Sequence, residues 1–232
     1  MPKINYDIQA SSWCYGGARA LSSVKYIVLH YTAVNGDTAK NEASYFSRNY
    51  SRYAGAHFFV DQSGTIAQSI SIGLTAWSVG GAKYSGTSPA YYGQCTNYNS
   101  VSIEMCDQVT KDASAKQIEA VRWLISYIQS KCPNAKTIIR HYDVNGKPCP
   151  ARYLDTAKWN DLKKAVTGGS TPYKVEIVKA VNVREKASAT SKKVMVLYPH
   201  GVYTIVKTNK KKTWGKLKSG AGWISLKYTK KV

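Results

Sequence analysis

Residues 167 to 172 read Thr-Gly-Gly-Ser-Thr-Pro, and this run constrains the fold more than any other feature of the chain. Small flexible residues and then a proline end the apolar, helix-like stretch before them. The remaining residues, to Val232, are basic and strand-rich. One continuous core does not suit so sharp a change of pattern. The chain of 232 residues is therefore read as two domains, 1–166 and 173–232, joined by a linker at 167–172. Apolar residues make up 44% of it, enough for two cores. No apolar run approaches the roughly 20 residues that span a bilayer, so no transmembrane segment is expected.

The first stretch alternates strand and helix signals. Val24 to His30 is a β-branched and aromatic run and reads as a buried strand ending in histidine. Asp37 and Thr38 cap a predicted helix through about Tyr50. His57–Val60, Thr65–Ile70, Val101–Met105 and Thr137–His141 are further predicted strands. Ser114 to Gln117 is a capping box, S-x-x-Q, and Ile118, Val121, Ile125 and Ile128 come after it at helical spacing. That predicts a helix to about Lys131. A closing helix is expected over 157–166. The pattern is that of an α/β domain with a mixed central sheet and flanking helices. In the second stretch, Val181–Arg184, Val194–Leu197, Val202–Val206, Thr213–Leu217 and Gly222–Ser225 are short and evenly spaced. They predict a small all-β barrel.

Charge is unevenly divided. Of 33 Lys and Arg and 13 Asp and Glu, residues 168–232 hold 15 and 2. That stretch alone carries +13 of the net +20. Such a field attracts a polyanion, or it keeps the chain soluble. No RNP-like or helix-turn-helix signature accompanies the lysines, so nucleic acid is not the expected partner.

Five cysteines, Cys14, Cys95, Cys106, Cys132 and Cys149, are an odd number and so exclude a full disulfide framework. Two of the four histidines, His30 and His141, end predicted strands. Cys149 lies eight residues after His141, across a segment rich in turn formers. Two His and one Cys make a zinc site with one position open, the mark of a catalytic rather than a structural site. Core histidines beside a buried thiol are the alternative on spacing alone. Glu104 interrupts an apolar strand and faces either solvent on a sheet edge or a cleft, where it could serve as a general base. Lys147 lies within the His141–Cys149 loop, where an ammonium could stabilise an oxyanion.

Five segments, in order, carry a resemblance. They are Ile27–Thr32, Ala54–Gly64, Ala76-Trp77, Asn99–Glu104, and Arg140–Asp143 continuing through Lys147–Pro150. Together they resemble the zinc-dependent type 2 N-acetylmuramoyl-L-alanine amidases, relatives of the peptidoglycan recognition proteins. The resemblance implies that His30, His141 and Cys149 bind zinc. It puts Glu104 on the general base and Lys147 on the oxyanion-stabilising residue. Trp77 and His57 fall near the substrate cleft, with a satisfied structural role the other reading of His57. Ala56 and Ser78 depart from residues that many members carry. Asn182–Arg184, Thr213–Leu217 and Gly222–Tyr228 resemble a bacterial SH3-like (SH3b) domain. The plainer role for Trp214 and Trp223, for at least one of the two, is barrel core.

The activity so implied is hydrolysis of the amide between N-acetylmuramic acid and L-alanine in peptidoglycan. The basic domain would bind the wall and its anionic polymers. A non-catalytic peptidoglycan recognition protein is the alternative, disfavoured because Cys149 is present. The N-terminus shows no apolar leader. With wall chemistry, that suggests a phage or prophage endolysin, made in the cytoplasm and released by a holin. The sequence leaves the oligomeric state open.

Overall fold

The computed structural model describes residues 2–168, 173–209 and 211–232. Lys210 and residues 169–172 of the predicted linker lie outside them. The chain divides into two compact units, Met1–Thr167 and Gly168–Val232.

The strands of the first unit are β1 (Ile4–Asn5), β2 (Tyr15–Ala18), β3 (Tyr26–Tyr31), β4 (Phe58–Val60), β5 (Ile66–Gln68), β6 (Leu74–Ala76), β7 (Ser100–Met105) and β8 (Thr137–Arg140). Its helices are α1 (Ala39–Ser47), α2 (Ala115–Lys131), α3 (Tyr142–Asn145) and α4 (Thr156–Val166). Six strands form one sheet in the order β1-β5-β4-β7-β3-β8, while β2 and β6 pair separately. The four strands from β4 to β8 run parallel and β5 runs antiparallel, so the sheet is mixed, as the pattern predicted.

Strand parity assigns the two faces. Ile27, Leu29, Val101, Ile103 and Met105 face α2 and α4, where Val121, Leu124, Ile128, Trp159 and Leu162 complete an apolar core. Val28 and Ile139 face the other way, onto Val79, Cys95 and Val144. Farther along that face Phe59 and Ala67 meet Ala39 and Ala43 of α1. Both faces are covered, which is why the strands read as near-continuous apolar runs. On the second face, however, α1 and loops are the cover. The C-terminal ends of β3, β7 and β8 open there into a cavity.

Three local departures from the sequence reading have physical causes. Helix α1 stops at Ser47, short of Tyr50. The buried Asn49 side chain accepts from the Ser51 and Arg52 amides and donates to the Arg52 and Ala54 carbonyls, which turns the chain into a loop. The capping box is only half made. Ser114 Oγ accepts from the Gln117 amide, but the Gln117 side chain donates instead to the carbonyls of Val60 and Cys106, at the ends of β4 and β7. The segment after His141 is not all turn: it forms α3 and then reverses at Gly146, φ +84°, where an added Cβ would lie 2.0 Å from Thr87 Oγ1.

The second unit contains β9 (Tyr173–Ile177), β10 (Val181–Arg184), β11 (Lys193–Leu197), β12 (Val202–Thr208), β13 (Trp214–Leu217), β14 (Trp223–Ser225) and β15 (Thr229–Lys231). They form an antiparallel sheet ordered β11-β10-β14-β13-β12-β9-β15. Val175, Ile177, Val181, Val183, Leu197, Ile205, Leu217 and Ile224 make its core. Trp214 and Trp223 are not in it, against the reading of barrel core. Alternation turns Gly215, Leu217 and Ile224 inward and leaves both tryptophans half-buried on the other face, beside Lys216 and Arg184. No helix among the described residues is long and apolar enough to cross a membrane.

Candidate active site

Register places the site. His30 of β3 is the Cα partner of Glu104 of β7, and Leu29 is the partner of Arg140 of β8. The His141 amide donates to the Leu29 carbonyl and extends that ladder by one residue. His30, Glu104 and His141 therefore project side by side from three adjacent parallel strands at their C-terminal ends, where open α/β sheets bind ligands. Glu104 is on an interior strand, which removes the edge-strand alternative.

Cys149 returns to this row through a braced loop. Arg140 grips Asp143, with Nη2 2.6 Å from Oδ1, and its Nη1 donates to the carbonyls of Tyr153 and Leu154 beyond the cysteine. The Tyr142 amide donates to the Cys149 carbonyl at 2.9 Å. Cys149 Sγ thereby lies 3.8 Å from His30 Nδ1, and the two imidazole centroids are 4.6 Å apart. Among the described residues, His30, His141 and Cys149 alone gather three metal-ligating atoms, all within 4.8 Å of one another.

The row fits a divalent metal on chemical grounds. His30 Nε2 and both ring nitrogens of His141 are buried and have no hydrogen-bond partner. Unpaired buried polar atoms are costly, so three together mark a place for a ligand. Burial holds His30 well below its ordinary pKa, and His141 and Lys147 add to the effect. Burial, then Lys147, lowers His141 to about 3. Both rings are thus neutral, the form that ligates. Burial raises the Cys149 thiol, so binding a metal there displaces its proton.

Glu104 Oε1 lies 3.8 Å from His30 Nδ1, and its Oε2 is buried and unpaired. Burial pushes this carboxyl up to about 7, while Lys147 draws it down and Asp37 raises it further. Lys147 shares the cavity, and its amide donates to Asn145 Oδ1 at the end of α3. Glu42, which the sequence reading missed, also lines the cavity. Burial, then the neighbouring Asp37 carboxylate, raises it to about 9. The cavity measures about 1270 Å³. Trp77 and Ser78 line it, and both the Trp77 Nε1 and the Ser78 Oγ are buried and unpaired.

His57 does not reach the cavity. It is fully buried, and this is the correction to its reading as a substrate contact. Its Nδ1 accepts from the Ser102 amide at 3.1 Å, and its Nε2 lies 3.1 Å from the Leu74 carbonyl. Arg19 Nη2 is 2.8 Å from Nε2. Burial, then Arg19, lowers its pKa from 6.5 to about 3. Between those values the unfolded chain binds a proton here that the folded chain refuses. Stability therefore falls as pH falls through 6.5, by up to about 1.4 kcal/mol per pH unit from this group. His57→Gln should be less stable at neutral pH, for want of those bonds, yet show a flatter acid limb when urea midpoints are measured from pH 7 to 4. An acid limb as steep as the wild type's would show that His57 does not carry it.

Residues 20–152 match the N-acetylmuramoyl-L-alanine amidase family, and the chain belongs to that family of enzymes. It is 28% identical over 190 residues to the N-acetylmuramoyl-L-alanine amidase CwlA of Bacillus subtilis, covering 78% of this chain and 64% of CwlA. A probable N-acetylmuramoyl-L-alanine amidase of Bacillus licheniformis is 31% identical over 173 residues, covering 70% of this chain and 46% of the relative. The chain thus spans less than two thirds of these relatives. A mutant endolysin from Bacillus subtilis has a similar solved structure, with a TM-score of 0.55 and 25% identity, covering 72% of this chain and 99% of that one.

Proposed function

We propose that the chain hydrolyses the amide between N-acetylmuramic acid and L-alanine in peptidoglycan, using zinc held by His30, His141 and Cys149. The observation that carries this reading is the row of buried, partnerless imidazole nitrogens beside a thiol, all in one cavity with Glu104 and Lys147. Bound there, zinc supplies Lewis acidity at the scissile carbonyl. Glu104, raised toward neutrality, takes the proton of the attacking water and hands it to the leaving amine. Lys147, on the rim of the cavity, offers its ammonium to the oxygen that gains charge. Trp77, which lines the cavity with its Nε1 unpaired, contacts the substrate. The purified chain should carry about one zinc, as a single three-ligand site requires. Activity on walls should vanish with a chelator and return with zinc. Full activity in protein free of metal by elemental analysis would overturn the assignment.

The second unit, residues 173–232, is proposed to be an SH3-like module that holds the enzyme on the wall. Its +13 charge suits anionic wall polymers. The exposed Lys211 and Lys230 supply part of that charge. Wall binding by the full chain should weaken between low and physiological salt, where the screening length falls to about 8 Å, and weaken again in a Lys211→Glu, Lys230→Glu variant. Binding indifferent to salt but lost in Trp223→Ala would replace charge attraction with a pocket on the outer aromatic face. Likeness to an endolysin supports release of the enzyme by a holin as part of the same proposal.

A further inference from the structure

The cavity has two walls of different chemistry. One is built on the β4–β5 side of the sheet by α1 and the loop after it, and presents Tyr45, Phe46 and Tyr53. The other stands at the β8 end. There Lys83 and Tyr84 are tied to α3, with the Tyr84 amide donating to the Asn145 carbonyl at 2.8 Å, and Lys147 lies beside them. His30, Glu104 and His141 occupy the strands between. The first wall is aromatic, and its cation Arg52 donates to the Tyr45 hydroxyl. The second is cationic.

Beyond the cavity rim the aromatic wall continues. Trp13 packs on Tyr53 with ring centroids 5.5 Å apart, yet Trp13 remains 40% exposed and Tyr53 73% exposed. Neither ring belongs to an apolar core. Large aromatic rings left in water without a packing role mark a contact surface. Their backbone, by contrast, is fixed. Asn49 staples the Arg52 and Ala54 carbonyls from within and donates to Cys14 Sγ. Ser11 Oγ donates to the Asn49 carbonyl, and the Ser11 amide donates to the Phe46 carbonyl, which holds the turn that carries Trp13. Rigid aromatic surface of this kind binds with little loss of conformational entropy.

We propose that Trp13 and Tyr53 form a platform for a sugar ring of the glycan strand, next to the muramic acid whose amide is cut. The inference rests on the amidase reading above. The scissile amide joins a neutral glycan to a peptide that ends in carboxylate. Sugar rings present C–H faces to aromatic rings, and carboxylates seek cations. The glycan therefore lies along the Tyr45–Tyr53–Trp13 side and the stem peptide along the Lys83 side. The first unit is then itself selective for glycan chains over a single muramoyl sugar, independently of any wall binding by residues 173–232.

The test uses the full chain and two soluble substrates, a stem peptide on one muramic acid and the same peptide on a tetrasaccharide. In Trp13→Ala and in Tyr53→Leu the ratio of kcat/KM for the tetrasaccharide over the single sugar should fall about tenfold, through KM. Trp13→Phe should keep most of the ratio. Tyr50→Ala, an exposed tyrosine of the same loop that does not line the cavity, should behave as the wild type. An unaltered ratio in both platform variants, or equal losses on the two substrates, would overturn the proposal. Calorimetric binding of peptide-free chitotetraose gives a readout that needs no hydrolysis, and Trp13→Ala should weaken it. A wild-type chain that binds chitotetraose through Trp13 but cleaves neither substrate would sink the amidase reading and leave the platform standing.

Discussion

With zinc held as proposed, His141→Ala should lose metal and activity together. The imidazole stands just past the end of β8 with both ring nitrogens buried and unpaired, so alanine removes one of the three proposed ligands. The remaining pair, His30 and Cys149, is too small a set for a tight zinc site. Elemental analysis should fall from about one zinc per chain to near none, and turnover on walls should fall to background. The fold should persist, because the apolar core beneath α2 and α4 draws nothing from this ring. A folded His141→Ala protein that keeps its zinc would remove His141 from the ligand set.

Glu104→Gln should separate the proposed ligands from the proposed base. Glutamine keeps the shape of the side chain and its place opposite His30 in the register, but it cannot take a proton. Zinc content should stay near one per chain while the rate falls by roughly two to four orders of magnitude, the usual scale for a general base. Lys147→Ala should likewise keep zinc and lose about a hundredfold or more, as expected for an oxyanion partner. Near-normal turnover in Glu104→Gln would leave the carboxylate as a buried acid that merely lies beside His30.

Much of this row is legible in the residues alone. Parity within β3, β7 and β8 puts His30, Glu104 and His141 on one face, given that the three strands are neighbours and parallel. What the sequence does not carry is neighbour order, and so it leaves Glu104 open to an edge-strand reading. The outward face of Trp214 and Trp223 is also present as plain alternation with Gly215, Leu217 and Ile224, although ring size argues for the core. Other features have no local signal. The grip of Arg140 on Asp143 and on two carbonyls past Cys149 depends on the loop returning, and the Asn49 side chain acts through five hydrogen bonds to four residues that only the folded loop assembles. His57 takes the structural one of its two readings. A motif position near a cleft is not a position in it, and here Arg19, Ser102 and Leu74 enclose the ring.

The sharpest test of the central claim is the chemistry of the products. Purified walls treated with the full chain should gain free amino groups on L-alanine and no new reducing ends. The gain should be large with the wild type, small with Glu104→Gln and absent with His141→Ala. New reducing ends without new alanine amino groups would mean that a glycosidic bond is cut, and the amidase account would be wrong.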